Sequence, residues 1–137
     1  MKFHRWVCGS LILGALVLSA AGTVHAQGFN AVYAKDASDV WAAGNAGAVW
    51  RSLDGGTIWG SYPLGAVNHR AIAAYGDRII VVGDAGSCYL SENAGFSFSQ
   101  SILGGGANLR AVAWADASNG WVAGDGGLIL KTTDAGQ

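Results

Sequence analysis

The chain has 137 residues, with eight Lys/Arg against nine Asp/Glu and a formal net charge of −1. That balance excludes the basic footprint of a nucleic-acid binder. With only two cysteines, Cys8 and Cys88, a small domain stapled by several disulfides is excluded as well.

The first segment reads as a leader. Lys2, His4 and Arg5 are basic, Val7 to Ala21 is apolar and uncharged, and Val24-His25-Ala26 has the small-residue pattern of a signal-peptidase site. This predicts a secretory signal over 1–26, cleavage before Gln27, and export to the periplasm or extracellular space. A retained anchor is the alternative, although the apolar run is marginally short for a bilayer and no cationic stop follows it. A stable membrane span after cleavage is not expected. Downstream, 27–137 carries one histidine, His69, and one cysteine, Cys88. These cannot supply an ordinary metal-ligand set or an intrachain disulfide, so neither metal nor cofactor is expected.

From Phe29 onward one phrase is repeated three times, over about 29–68, 69–108 and 109–137. Gly44, Gly83 and Gly124 mark the same slot, and so do Asp54, Asn93 and Asp134. A period near forty with strand-like content predicts an all-β fold of β-propeller blades. Four antiparallel strands are expected per blade, at about 30–34, 39–44, 48–53 and 58–62 in the first. Three consecutive blades follow, the last incomplete, forming an open partial propeller over 27–137.

Asp36-Ala-Ser38 and Asp116-Ala-Ser118 have side chains suited to starting a tight turn between the first two strands. Val40-Trp-Ala-Ala43, Ile79-Ile-Val-Val82 and Trp121-Val-Ala123 are apolar on both faces, as in strands sandwiched between sheets. Gly44-Asn-Ala-Gly47, Gly83-Asp-Ala-Gly86 and Gly124-Asp-Gly-Gly127 read as hairpin turns, with Asn or Asp tolerating positive φ. They do not read as phosphate loops, because strands rather than helices follow. Cys88 shares its slot with Val49 and Ile129, so a small buried hydrophobe is expected there.

The turn after the third strand carries Ser52-x-Asp54-x-Gly56-x-Ile58-Trp59 and Ser91-x-Asn93-x-Gly95-x-Ser97-Phe98. Thr132-x-Asp134-x-Gly136 is the first half of the same pattern. The carboxylate or amide accepts turn amides, Gly supplies the unusual dihedral, and the aromatic packs over the hairpin. This pattern resembles the Asp-box. Together with Asn119-Gly-Trp-Val-Ala-Gly-Asp-Gly-Gly-Leu-Ile-Leu-Lys-Thr-Thr-Asp-Ala-Gly136, it resembles the Ycf48-like photosystem II assembly and stability factors among the BNR/Asp-box propellers. The resemblance implies a seven-bladed propeller that binds polypeptides rather than catalysing reactions. Three partial blades do not close such a ring, so a fragment of a longer propeller is expected, with assembly of several short chains as the alternative. Exposed end blades would then favour self-association.

Chemistry-bearing residues are sparse. His69 falls at a joint between repeats, where a loop position is expected. Arg70 and Arg110 recur at the start of the first strand, where the first repeat has Asn30. Arginine suits a bidentate grip on carboxylates, including those of a polypeptide, so these two are the candidate binding residues. A solvated strand end facing nearby Asp residues is the competing reading. The alternative function is a carbohydrate-active Asp-box propeller, either lectin-like or sialidase-like. Arg51, Arg70, Arg78 and Arg110 and Tyr33, Tyr62, Tyr75 and Tyr89 are its raw material, but no Arg-Ile-Pro motif precedes the boxes.

Overall fold

The computed structural model describes residues 28–136. The leader expected over 1–26 lies outside them. Three antiparallel sheets follow one another in chain order. The first holds β1 (Phe29–Ala34), β2 (Val40–Gly44), β3 (Val49–Ser52) and β4 (Gly60–Ser61). The second holds β5 (His69–Tyr75), β6 (Arg78–Gly83), β7 (Ser87–Ser91) and β8 (Ser99–Ile102). The third holds β9 (Leu109–Trp114), β10 (Gly120–Gly124) and β11 (Ile129–Thr132). Each sheet is a simple meander. The strands start and stop within two residues of the positions expected in the first repeat.

The sheets face one another as propeller blades do. β1 packs against β5 and β5 against β9, so the first strands gather on one side of the stack. Two apolar seams hold it together. Trp41, Ala43, Val49, Ile72, Ile79, Val81 and Tyr89 fill the first. Ala73, Ile80, Val82, Cys88, Leu109 and Val122 fill the second. The middle strand β6 is buried on both faces because its odd and even residues serve different seams. In β10, by contrast, Trp121 is 38% exposed, because its side faces away from both seams. Cys88 is buried, as its slot predicted, and burial pushes its thiol pKa upward.

The turns after the third strand of each blade are closed by their own side chains. Asp54 Oδ1 accepts the Thr57 and Ile58 amides at 3.0 and 2.8 Å. Ser52 donates its hydroxyl to Asp54 and accepts the Gly56 amide at 2.8 Å. Asn93 and Ser91 repeat this, with Gly95 and Ser97 as donors. Thr132 Oγ1 donates to Asp134 and accepts the Gly136 amide. Gly56, Gly95 and Gly136 all have positive φ, 95°, 86° and 85°. Trp59 closes its own hairpin by donating Nε1–H to the Gly56 carbonyl. Phe98 instead reaches across the seam and meets Trp41 edge-on at 6.4 Å. The box thus serves both turn geometry and blade-to-blade packing.

Candidate functional site

At one end of the first strands lies a row built by β-bulges. Phe29 pairs with Gly44 and Ala31 with Ala43, which leaves Asn30 as the extra residue. The same shift leaves Arg70 and Arg110 extra in β5 and β9. A bulge re-aims the side chain it carries. Here it turns each one toward the residue that opens the turn between the second and third strands of its own blade.

The contacts then repeat in register. Arg70 donates Nε–H and Nη2–H to Asp84 at 2.7 and 2.8 Å. Arg110 grips Asp125 in the same way at 2.8 and 3.0 Å. In the first blade Asn30 donates to the Asn45 carbonyl oxygen at 2.8 Å. Asn68 and Asn108 donate to Asp84 and Asp125 from the other side. Their own carbonyl oxygens accept the Ala46 and Ala85 amides from the turn of the preceding blade. The row is therefore a hydrogen-bonded relay running from blade to blade. Nη1 of either arginine has no hydrogen-bond partner among the described residues, and the two side chains are 31% and 50% exposed.

Close backbone approach explains the recurrent glycine beneath the row. A Cβ on Gly83 would lie 2.1 Å from the Asn68 carbonyl oxygen, and one on Gly44 would lie 2.3 Å from that of Gly28. Those carbonyls accept the amides of Asp84 and Asn45, which sets the turn under the arginine. The positive φ expected on Asn or Asp falls one residue later, on Ala46, Ala85 and Gly126. Asn45, Asp84 and Asp125 stay outside the left-handed region and use their side chains to hold the row. The expected tolerance of positive φ is thus not what selects them.

The electrostatics follow from this pairing. Hydrogen bonding to Arg110 holds the Asp125 carboxyl at about 2, with Asn108 adding to the effect. Arg70 lowers that of Asp84 against a partial desolvation. Arg110 also acts on Asp84, so neighbouring blades feel one another's charges. Each Arg–Asp couple is neutral as a unit. The two-pronged grip foreseen for a partner's carboxylate is taken by the chain's own aspartates.

The other expected candidates are dispersed. Arg51 holds Asp39 with two hydrogen bonds, lies 4.7 Å above the Trp41 ring, and donates to the Ala94 carbonyl of the next blade. Arg78 reaches the Ala117 carbonyl and Glu92. Tyr33 donates to the Ala74 carbonyl across the first seam. These arginines do not converge with Arg70 and Arg110 on one open site. Asp36 and Asp116 cap their turns through amides of residues 38–39 and 118–119, as expected. The Asp39 amide is the main cause holding Asp36 at about 2. His69 is not a loop residue: it opens β5 and is fully buried, in the slot filled by Leu109 in the next repeat. The chain reads there as a joint because the link from β4 is short.

Sequence reasoning missed Asn68, Asn108, Asp84 and Asp125 as members of the row. The signal was present: where Arg70 and Arg110 become Asn30, Asp84 and Asp125 become Asn45.

The fold is that of an open, partial β-propeller, and it is similar to that of solved Ycf48 structures. Among solved structures, a YCF48 bound to a D1 peptide superposes with a TM-score of 0.73 at 20% identity. It is matched over 81% of this chain and 38% of its own. A second, YCF48 from Cyanidioschyzon merolae, gives a TM-score of 0.72 at 18% identity, over 80% of this chain and 35% of its own. The chain thus spans little more than a third of the propellers it matches. No protein-family model matches it, and no curated protein does. Among the described residues no helix is long and apolar enough to cross a membrane.

Proposed function

We propose that the chain is an exported, non-enzymatic propeller protein that binds an extended polypeptide along the row of Asn30, Arg70 and Arg110. The observation that carries this reading is the pair of arginines held on adjacent first strands with their Nη1 edges open. A guanidinium clamped by its own carboxylate loses little further freedom when it donates to a ligand. A strip of alternating donors and acceptors suits the carbonyls and carboxylates of a peptide. The D1 peptide on the related YCF48 structure supports a polypeptide as the ligand class. The role is of the photosystem assembly kind that the sequence resemblance implies, with export directed by a leader over 1–26.

Two exposed faces offer contacts between copies. Val32 and Phe29 lie exposed on the first blade, and Ile129 and Trp121 on the third. Such surfaces favour self-association.

The test is anisotropy of a labelled D1 peptide titrated with wild type and with the Arg70→Ala/Arg110→Ala double variant. The expected result is saturable binding that weakens at least about tenfold in the variant, the scale of two lost charge-assisted hydrogen bonds. Equal binding by both proteins eliminates the arginine row. Absence of binding to wild type eliminates this peptide as a ligand.

A further inference from the structure

The rim row leaves unexplained a histidine buried just beneath it. His69 has no solvent exposure and lies in the seam between the first two blades. Its Nε2 is 2.8 Å from the Leu64 carbonyl oxygen, on the link between blades. A carbonyl only accepts, so Nε2 carries the proton and the neutral ring presents a bare Nδ1. Nδ1 is buried and has no hydrogen-bond partner. The ring stands edge-on to Tyr89 at 5.5 Å.

Among the described residues no charged side chain faces the ring, and only the Leu64 carbonyl favours its protonated form. Tyr89 of β7 is, among the described residues, the titratable group in ring contact with it, and Tyr62, at the start of the link, lies tilted against Trp41 instead. Arg70 on the same strand and Asp84 from the β6–β7 turn neutralise each other at the rim. Asn30 of β1 donates to the His69 backbone carbonyl, not to the ring. The corresponding slot in the third blade holds Leu109, also fully buried. Hydrocarbon suffices there, so an ionisable ring is not demanded by the fold.

We infer that His69 is an acid-sensitive latch: the neutral ring pins the link between blades one and two, and protonation at Nδ1 loosens that seam. A second proton would place an N–H⁺ in an apolar seam with no acceptor. Desolvation indeed lowers the His69 pKa below its usual value, outweighing the Leu64 hydrogen bond. The sign follows from linkage. The unfolded chain takes up the proton near pH 6.5, whereas the folded seam resists it. Stability from this source is complete above about pH 6.5 and declines as pH falls toward the lowered folded value. His69 also lies between Asn68 and Arg70, so a loosened seam reaches the rim relay directly.

The experiment compares denaturant unfolding of wild type and His69→Leu between pH 7.5 and 5. The wild-type unfolding constant should rise by up to about tenfold per pH unit below 6.5 relative to the variant. Parallel profiles for the two proteins would overturn the latch. Imidazole NMR on the wild type gives a second reading that needs only the native protein, with the His69 signal identified by its loss in the variant or by its contact to Tyr89. A midpoint below 6.5 is expected, and titration at or above 6.5 would overturn the proposal.

Discussion

Arg70 and Asp84 meet fork to fork across the first hairpin of the second blade, with Nε and Nη2 at 2.7 and 2.8 Å from the two carboxylate oxygens. Arg110 and Asp125 repeat the contact one blade on. The pairing ties a bulged strand end to the turn between the second and third strands of its blade. It also fixes which edge of each guanidinium stays free.

Acid should dissolve this row from its aspartates. Asp84 and Asp125 have lowered pKa values, that of Asp125 about 2, chiefly through their arginines. A depressed carboxylate stabilises the fold above its unfolded pKa of about 4 and loses that contribution as pH falls toward the folded value. Urea midpoints should therefore drop between about pH 4 and pH 2, and the drop should be shallower in Asp84→Asn/Asp125→Asn.

The glycine under each arginine should resist substitution for a reason other than φ. Gly83 is extended, at φ −166°, yet its added Cβ would collide with the Asn68 carbonyl. Gly83→Ala should cost roughly 1–3 kcal/mol and disturb Asp84. Gly76 has φ +59° and open space around it, so Gly76→Ala should cost only about 1–2 kcal/mol. Denaturant unfolding measures both, and amide shifts at Asp84 should report only the first.

Ser52 is fully buried and links Asp54 to the Gly56 amide. Ser52→Ala leaves that part-buried amide without its partner and should lower stability by about 1–3 kcal/mol in chemical denaturation. Ser91→Ala should behave alike. Thr132→Ala, in an exposed box, should cost less.

Trp41 is the largest buried side chain of the first seam, covered by Tyr62, Phe98 and the Arg51 guanidinium. Trp41→Ala should destabilise by about 3–5 kcal/mol, read from thermal and denaturant unfolding. The equivalent Ile80 fills the second seam with a smaller side chain, so Ile80→Ala should cost about 2–5 kcal/mol.

Architecture was legible because repetition made it redundant. Gly44, Gly83 and Gly124 and the three Asp-boxes fixed the period, and the doubly apolar β6 announced a sheet packed on both faces. The site was half legible. Arg70 and Arg110 stood out by recurrence, but a one-residue bulge leaves no local signature, so their partners were not seen. His69 was misplaced for a related reason: a polar residue in a hydrocarbon slot becomes visible only when Leu109 is aligned with it. Crossing contacts such as Tyr33 to Ala74 depend on how blades stack, which strand patterns do not encode.

The central claim is that a polypeptide lies along the row of Asn30, Arg70 and Arg110. Amide chemical-shift mapping on labelled protein, titrated with a D1 peptide, tests it most directly. Shifts concentrated at residues 28–30, 45–47, 68–70, 84–86, 108–110 and 125–127 are the predicted result. Shifts confined to the Asp-box hairpins at 52–59 and 91–98, with the row unmoved, would contradict it.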